Sequence, residues 1–281
     1  MRFGDSPESE NFEDRTGQSG GGGLNLGGGL GMIIPLVASR FGIVGVLILL
    51  LGYCALTQLG GGGGMIGGGS TESGPSKLDP ATGRFMRQVL GSTEQVWGQV
   101  FQQSGAQYTP TRLVAYTDYN QSGCGAAQAA MGPFYCPTDK QIYIDPAFFN
   151  ELSRRFGAPG DFAQAYVIAH EVGHHIQDLE GTLDKAQAAQ ARTSASGGNA
   201  IQVGVELQAD CYAGVWAARS GALEQGDIEE GMRAAEAIGD DMLTKGQVSP
   251  DNFTHGTSAQ RMEALRNGLS SGNPSTCNYA R

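Results

Sequence analysis

The chain has 281 residues, of which 40% are hydrophobic and 16% are charged, so a wholly disordered protein is excluded. Its net charge of −10 argues against nucleic acid as a partner, because phosphate recognition needs clustered lysine and arginine side chains. The glycines are unevenly spread, since 22 of the 45 lie within residues 1–74. The first quarter of the chain therefore differs in composition from the remainder, which predicts a different structure for it.

The amino-terminal quarter predicts a tail, a membrane span and a linker. Residues 1–31 are polar and glycine-rich, and we expect them to be disordered because they cannot bury enough apolar surface. Residues 32–56 include the uncharged apolar run at 41–56 and predict one transmembrane helix, with a buried core helix as the alternative. The glycine-rich residues 57–78 predict a flexible linker to a domain at residues 79–281.

The charges that flank the apolar run predict its orientation in the lipid bilayer. Arg40 lies at the amino-terminal edge, whereas the first basic residue on the other side is Lys77. Because positive charge is enriched on the cytoplasmic side, we expect the tail in the cytoplasm and the domain outside it. A signal peptide is disfavoured by the acidic tail that precedes the run. Lipid attachment to Cys54 is disfavoured by the bulky Tyr53 before it.

Four cysteines belong to the domain, namely Cys124, Cys136, Cys211 and Cys277. An even number in an oxidising compartment predicts two disulfide bonds, although sequence alone leaves the pairing open. One arrangement closes a short loop between Cys124 and Cys136 and attaches the carboxyl terminus to a helix through Cys211 and Cys277. Buried free thiols are the alternative. A cysteine zinc site is disfavoured because no two cysteines have the spacing that such sites use.

The domain is predicted to be α+β, mainly helical with a small sheet. Asp79 and Pro80 indicate a helix start, and apolar residues then recur at helical spacing to about Gln103. Strands are predicted at residues 112–117 and 141–145, a long loop at 122–137, and helices at 161–179, 200–219, 227–243 and 257–269.

The most informative motif is His170-Glu171-Val172-Gly173-His174, inside the helix predicted at residues 161–179. Side chains four residues apart lie on one face of a helix, so both imidazoles can reach one zinc ion. Glu171 lies about 100° around the helix from His170, near enough to activate a zinc-bound water without binding the metal. The motif predicts His170 and His174 as metal ligands and Glu171 as the general base.

A third ligand is expected from another helix, because a catalytic zinc keeps three protein ligands and one open position. Glu206, which follows His174 by 32 residues, is the candidate. Asp210 lies one helical turn further on, and we expect it to fix the tautomer of a ligand histidine by accepting a hydrogen bond. The alternative, a solvated acidic helix face, is disfavoured by the small and apolar residues at 211–216.

Two histidines remain outside this ligand set. We expect His175 to be structural, because it faces another side of the helix. His255, within Thr254-His255-Gly256, is a candidate to stabilise the oxyanion that develops on the substrate carbonyl. Tyr143 and Tyr166 are alternative candidates for this role.

Six stretches of the chain resemble the bacterial single-span neutral zinc metallopeptidases. They are residues 11–15 (NFEDR), 132–137 (GPFYCP), 160–175 (GDFAQAYVIAHEVGHH), 206–214 (ELQADCYAG), 238–241 (IGDD) and 254–261 (THGTSAQR). The resemblance implies a zincin-like fold, peptide-bond hydrolysis and zinc ligation by His170, His174 and Glu206. The last stretch is also similar to one in membrane-bound gluzincin peptidases, which implies places near the cleft for His255 and Arg261.

These features predict a membrane-anchored, zinc-dependent endopeptidase with one zinc ion and a protein or peptide substrate outside the cytoplasm. Residues 141–145 are a candidate strand for edge pairing with that substrate. The alternative is a catalytically silent, zinc-stabilised membrane scaffold, which the unligated Glu171 disfavours. A di-iron carboxylate bundle also uses a Glu-x-x-His motif, but it needs a second such motif, and the sequence has none.

Overall fold

The computed structural model describes residues 1–18 and 74–280. The predicted transmembrane helix at residues 32–56 lies outside the described residues, together with Cys54 and most of the predicted linker at 57–78. Within the part that is described, every helix is too short or too polar to cross a bilayer.

Helices make up most of the described structure, in agreement with the α+β prediction. The first helix begins where the sequence indicates, since the Asp79 side chain accepts a hydrogen bond from the Thr82 amide and Pro80 follows. The helices are α1 (Pro80–Gln103), α2 (Ala147–Arg154), α3 (Asp161–Leu179), α4 (Thr182–Gln190), α5 (Ala195–Ser220), α6 (Asp227–Ala237), α7 (Asp240–Leu243) and α8 (Ser258–Ser271).

The helix predicted at residues 227–243 is interrupted, and the interruption has a packing cause. Ile238 and Gly239 separate α6 from α7, and Gly239 has an extended backbone. A Cβ atom on Gly239 would lie 2.4 Å from the Ser258 amide nitrogen, so the backbone runs directly against the start of α8. This contact between distant parts of the chain overrides the local helical pattern.

The strands form one four-stranded sheet and one separate hairpin. They are β1 (Phe12–Asp14), β2 (Arg112–Ala115), β3 (Tyr119–Ser122), β4 (Gly125–Gln128), β5 (Phe134–Cys136) and β6 (Gln141–Ile144). The sheet order is β1-β2-β6-β5, in which β1, β2 and β6 are parallel and β5 is antiparallel to β6. The hairpin pairs β3 with β4.

Two predictions about this region are wrong. Residues 141–145 do not offer a free edge, because β6 is paired on one side with β2 and on the other with β5. Residues 122–137 are not one long loop, since they contain β4, a 3-10 turn and β5. The edge strand beside the helices is therefore β5.

The first residues of the chain are folded against the domain, so the prediction of a disordered tail is wrong for residues 1–18. β1 pairs with β2, with Phe12 opposite Leu113. The Phe3 ring packs edge-on against Phe85 of α1, and their centroids are 5.9 Å apart. A three-residue strand is too short to show alternation, so its sequence signal is lost among the polar residues around it.

The two described stretches of the chain meet at Gly17 and Gly74, which we call the Gly17–Gly74 seam. The Gly74 amide donates a hydrogen bond to the Gly17 carbonyl over 2.9 Å. A strand that is hydrogen bonded into a sheet lies on the same side of a membrane as that sheet. Residues 1–18 therefore share one folded unit with residues 74–280, and the cytoplasmic location of the tail stays a prediction.

Close helix contacts fix the centre of the domain. At the crossing of α3 and α5, a Cβ atom on Gly173 would lie 2.9 Å from the Ala209 carbonyl oxygen. At the crossing of α5 and α8, a Cβ atom on Gly268 would lie 2.0 Å from the Cys211 carbonyl oxygen. Glycine permits both approaches, and the first places one face of α3 directly beside α5.

Two disulfide bonds join the predicted cysteines. Cys124 is bonded to Cys136 with an S–S distance of 2.07 Å, and Cys211 is bonded to Cys277 with a distance of 1.98 Å. The first bond connects the β3–β4 turn to β5. The second attaches the carboxyl-terminal segment to the middle of α5.

Candidate metal centre

The side chains predicted to bind metal converge where α3 and α5 cross. The His170 Nε2 atom lies 3.2 Å from Glu206 Oε2, and the His174 Nε2 atom lies 3.7 Å from Glu206 Oε1. One ligand atom from each of the three residues lies within 4.8 Å of the other two. Donors about 2.1 Å from a tetrahedral zinc ion are roughly 3.4 Å apart, so this donor set fits such an ion.

The imidazole of His170 is oriented by a buried charge network. Its Nδ1 atom lies 2.8 Å from Oδ1 of Asp210, which is fully buried. Asp210 also accepts a hydrogen bond from the Tyr166 hydroxyl at 2.5 Å and two from the Arg261 guanidinium, each at 2.8 Å. Asp210 therefore occupies the place predicted for it, and Arg261 compensates its charge.

The imidazole of His174 is oriented by a different chain of contacts, which the sequence analysis missed. Its Nδ1 atom lies 2.9 Å from Oε1 of Gln177, whose amide group donates to Gln208 Oε1 at 2.9 Å. Gln208 in turn donates to the Cys277 carbonyl oxygen at 2.8 Å. The spacing of three residues between His174 and Gln177 was the available signal, because residues three apart share a helix face.

Glu171 lies beside the ligands and lines the same cleft without belonging to the ligand group. Its side chain is buried, and burial raises the pKa of its carboxyl group, although the neighbouring His170 and His174 act in the opposite direction. A carboxyl group with a raised pKa is suited to accept a proton and then release it near neutral pH.

The ligand residues are electrostatically coupled. Burial alone would lower the pKa of His170, but Asp210 and Glu206 outweigh it and raise that pKa to about 10. The pKa of His174 is also raised, because Glu206 outweighs burial. Burial would raise the pKa of Glu206, but the two histidines hold it well below its usual value. A buried carboxylate facing two imidazoles is the charge pattern that suits a divalent cation.

The ligand atoms open into a cleft of about 990 Å³. Phe134 and Tyr135 of β5 form part of one wall, and α4 contributes Asp184 and Gln187 to another. His255 lines the cleft as well, with 47% of its side chain exposed. These residues line the cleft together with the predicted metal ligands.

The candidates for stabilising the oxyanion differ in whether their polar atoms are already hydrogen bonded within the protein. Tyr166 is fully buried beneath His170 and is bonded to Asp210, whereas Tyr143 packs against Phe134 and donates its hydroxyl to Asp139. Neither hydroxyl is free to serve a substrate in this arrangement, which leaves His255. The predicted structural residue His175 is buried and bonded to the Thr109 carbonyl oxygen at 2.7 Å.

Comparisons with known proteins identify a family and several relatives of this chain. A family model described as "Putative neutral zinc metallopeptidase" matches residues 1–280. The chain is 44% identical over 287 residues to the uncharacterized protein YpfJ of Escherichia coli (strain K12), covering 99% of this chain and 98% of that protein. It is 40% identical over 187 residues to the uncharacterized protein Rv2575 of Mycobacterium tuberculosis (strain ATCC 25618 / H37Rv), covering 60% of this chain and 62% of that protein. No solved structure matches the chain.

The Gln177 contact predicts a loss of metal affinity on substitution. Gln177→Leu removes the acceptor for His174 Nδ1 while keeping a similar volume, so we expect zinc affinity to fall by roughly 10- to 100-fold. Competition with a chromophoric chelator measures this change. Gln102→Leu, at an exposed position near the end of α1 and outside the cleft, is the control and should leave the affinity unchanged. Equal affinities for both variants would show that Gln177 does not orient the ligand.

The raised pKa values of His170 and His174 predict that metal binding is coupled to proton release. In the metal-free protein the His170 ring is protonated on both nitrogens at neutral pH, and the pKa of His174 is raised in the same direction, so metal binding displaces protons. The apparent zinc affinity should therefore increase with pH until the pKa of His170, at about 10, is passed. Calorimetry in buffers of different ionisation enthalpy should detect about one to two protons released per zinc ion near pH 7. A pH-independent affinity with no proton release would contradict this coupling.

Proposed function

The chain belongs to the neutral zinc metallopeptidase family, and on that premise we propose that it is a zinc-dependent endopeptidase. The observation that carries this proposal is the convergence of His170, His174 and Glu206, with the unligated Glu171 beside them in a cleft. A metal site with a purely structural role has no use for a carboxylate that faces the cleft without binding the ion. The arrangement instead suits hydrolysis of a peptide bond.

The metal ligands, the general base and the oxyanion-stabilising residue have separate roles in the proposed reaction. His170, His174 and Glu206 would hold a zinc ion, which when bound would supply polarisation of a substrate carbonyl and a water molecule whose pKa is lowered to about 7. Glu171 accepts a proton from the attacking water and then transfers it to the leaving amine, which balances the reaction. His255 lies in the cleft where it can donate a hydrogen bond to the oxyanion that develops on the carbonyl.

Substrate binding is assigned to β5 in place of the strand suggested by the sequence. β5 is the edge of the sheet, and its residues Phe134 and Tyr135 line the cleft. An extended peptide can add to such an edge through backbone hydrogen bonds, which hold the peptide regardless of its side chains. This mode favours unfolded or extended segments of proteins as substrates.

We propose an extracytoplasmic location for residues 1–18 and 74–280 together. Two disulfide bonds favour an oxidising compartment. The apolar residues 32–56 remain the proposed membrane attachment, and they lie in sequence between Gly17 and Gly74, which are hydrogen bonded to each other. The substrates of this proposal are exported proteins or segments close to the membrane.

Replacement of the general base should abolish cleavage without removing the metal. For Glu171→Gln we expect cleavage of an unfolded casein substrate to fall by at least roughly 10³-fold, since the amide cannot accept the proton of water. Zinc content should stay near that of the unmodified protein. Glu180→Gln is the matched control, because Glu180 bonds to the Tyr212 hydroxyl outside the cleft.

Two results would decide against the proposal. Cleavage by Glu171→Gln at the same rate as the unmodified protein would show that another enzyme is responsible. Full zinc content with no cleavage by either protein, over a panel of unfolded substrates, would favour a zinc-stabilised scaffold. Removal of zinc with a chelator and its restoration should switch cleavage off and on in the unmodified protein.

The location can be tested with single cysteines on a Cys54→Ser background. Asp5 and Glu263 are both exposed and belong to the two parts that the seam joins. Asp5→Cys and Glu263→Cys should react equally with a membrane-impermeant maleimide in intact spheroplasts, because both parts share one fold. Labelling of Glu263→Cys alone would contradict the shared location. Labelling of neither until lysis would place both in the cytoplasm.

A further inference from the structure

The loop that carries His255 is hydrogen bonded to the carboxylate of Asp240, at the start of α7. Asp240 Oδ2 accepts hydrogen bonds from the backbone amides of Thr254, His255 and Gly256, at 2.7, 2.6 and 3.1 Å. The other oxygen, Oδ1, lies 3.0 Å from Nδ1 of the His255 ring. Asp240 is buried, whereas the ring of His255 extends into the cleft.

The contact between Asp240 and Nδ1 determines how Nε2, on the opposite side of the His255 ring, can form hydrogen bonds. An ionised carboxylate only accepts hydrogen bonds, so Nδ1 of His255 must carry the proton that faces Asp240. Nε2 is then the nitrogen available to the cleft, and it has no partner among the residues described by the structure. Because Nδ1 is already protonated, Nε2 can donate a hydrogen bond only when the ring is an imidazolium cation.

We propose that Asp240 is the positioning residue that fixes the orientation of the His255 ring, with Nδ1 toward Asp240 and Nε2 toward the substrate. This inference rests on the proposed peptidase function, because the acceptor is the oxyanion formed during hydrolysis. A hydrogen bond from a charged donor is roughly twice as strong as one from a neutral donor, and the oxyanion is where such a donor counts.

The neighbouring carboxylate supports the same loop without touching the ring. Asp241 Oδ1 accepts hydrogen bonds from the Ser258 amide and the Ser258 hydroxyl, both at 2.8 Å. Asp240 and Asp241 thus both tie α7 to the segment before α8, but Asp240 alone reaches His255. Asp241→Asn is therefore a matched control for loop support, and Asp240→Asn tests the ring contact.

The experiment is a double-mutant cycle in the zinc-loaded, full-length protein, with Glu171→Gln as the inactive reference. We expect His255→Ala to lower kcat by roughly 100-fold and Asp240→Asn by roughly 10- to 100-fold, with KM within about threefold. In the His255→Ala background, Asp240→Asn should lower kcat by no more than about twofold. Asp241→Asn should stay within about threefold of the unmodified protein.

Several results would overturn the inference while leaving the peptidase proposal intact. If Asp240→Asn lowered kcat equally with and without His255, the role of Asp240 would be to support the loop and not to position the His255 ring. The same would hold if Asp241→Asn lost as much activity as Asp240→Asn. Glu171-dependent cleavage that is insensitive to His255→Ala would remove His255, and with it Asp240, from the reaction.

A second measurement keeps the inference testable even if no substrate is found. The chain has four histidines, so the imidazole ¹⁵N signals can be assigned by single substitutions. We expect a protonated Nδ1 for His255 in the unmodified protein and a change of tautomer in Asp240→Asn, whose amide group can donate to Nδ1. An unprotonated Nδ1 in the unmodified protein would contradict the inference directly.

Discussion

A buried carboxylate must be paired, and the centre of this protein is organised around two of them. Glu206 and Asp210 lie one turn apart on α5, where burial would strongly disfavour isolated charges. Glu206 faces the two imidazoles, while Asp210 is shared by His170 and Arg261. The close crossing of α3 and α5 makes this pairing possible, so helix packing and charge compensation depend on each other.

The two ligand histidines are supported by opposite kinds of partner. His170 is backed by a carboxylate and, through it, a guanidinium, whereas His174 is backed by uncharged amides that end at the Cys277 backbone. A carboxylate partner makes an imidazole a stronger donor to metal than an amide does. Cys277 is also bonded to Cys211. This disulfide therefore fixes the backbone carbonyl at which the amide contacts of His174 end.

Local patterns predicted the centre well, and contacts between distant segments account for what was missed. The bounds of α3 agree with the residues predicted, and the 3.6-residue period alone placed His170 and His174 on one face. β1 was missed because three residues carry no period and their pairing partner lies about a hundred residues away. β5 was hidden in a glycine- and alanine-rich stretch, and the role of Asp240 depends on a fold-back that no local pattern reveals.

Because of the Gly17–Gly74 seam, the stability of the folded unit depends little on the length of the chain between these two glycines. The entropy lost on closing a loop grows only with the logarithm of its length, by about 0.6 kcal/mol for each doubling. Once the ends are fixed by hydrogen bonds and by β1, the intervening segment can lengthen or shorten at little energetic cost to the folded unit. Insertions and deletions between Gly17 and Gly74 can therefore accumulate during evolution without loss of the folded unit that positions His170, His174 and Glu206.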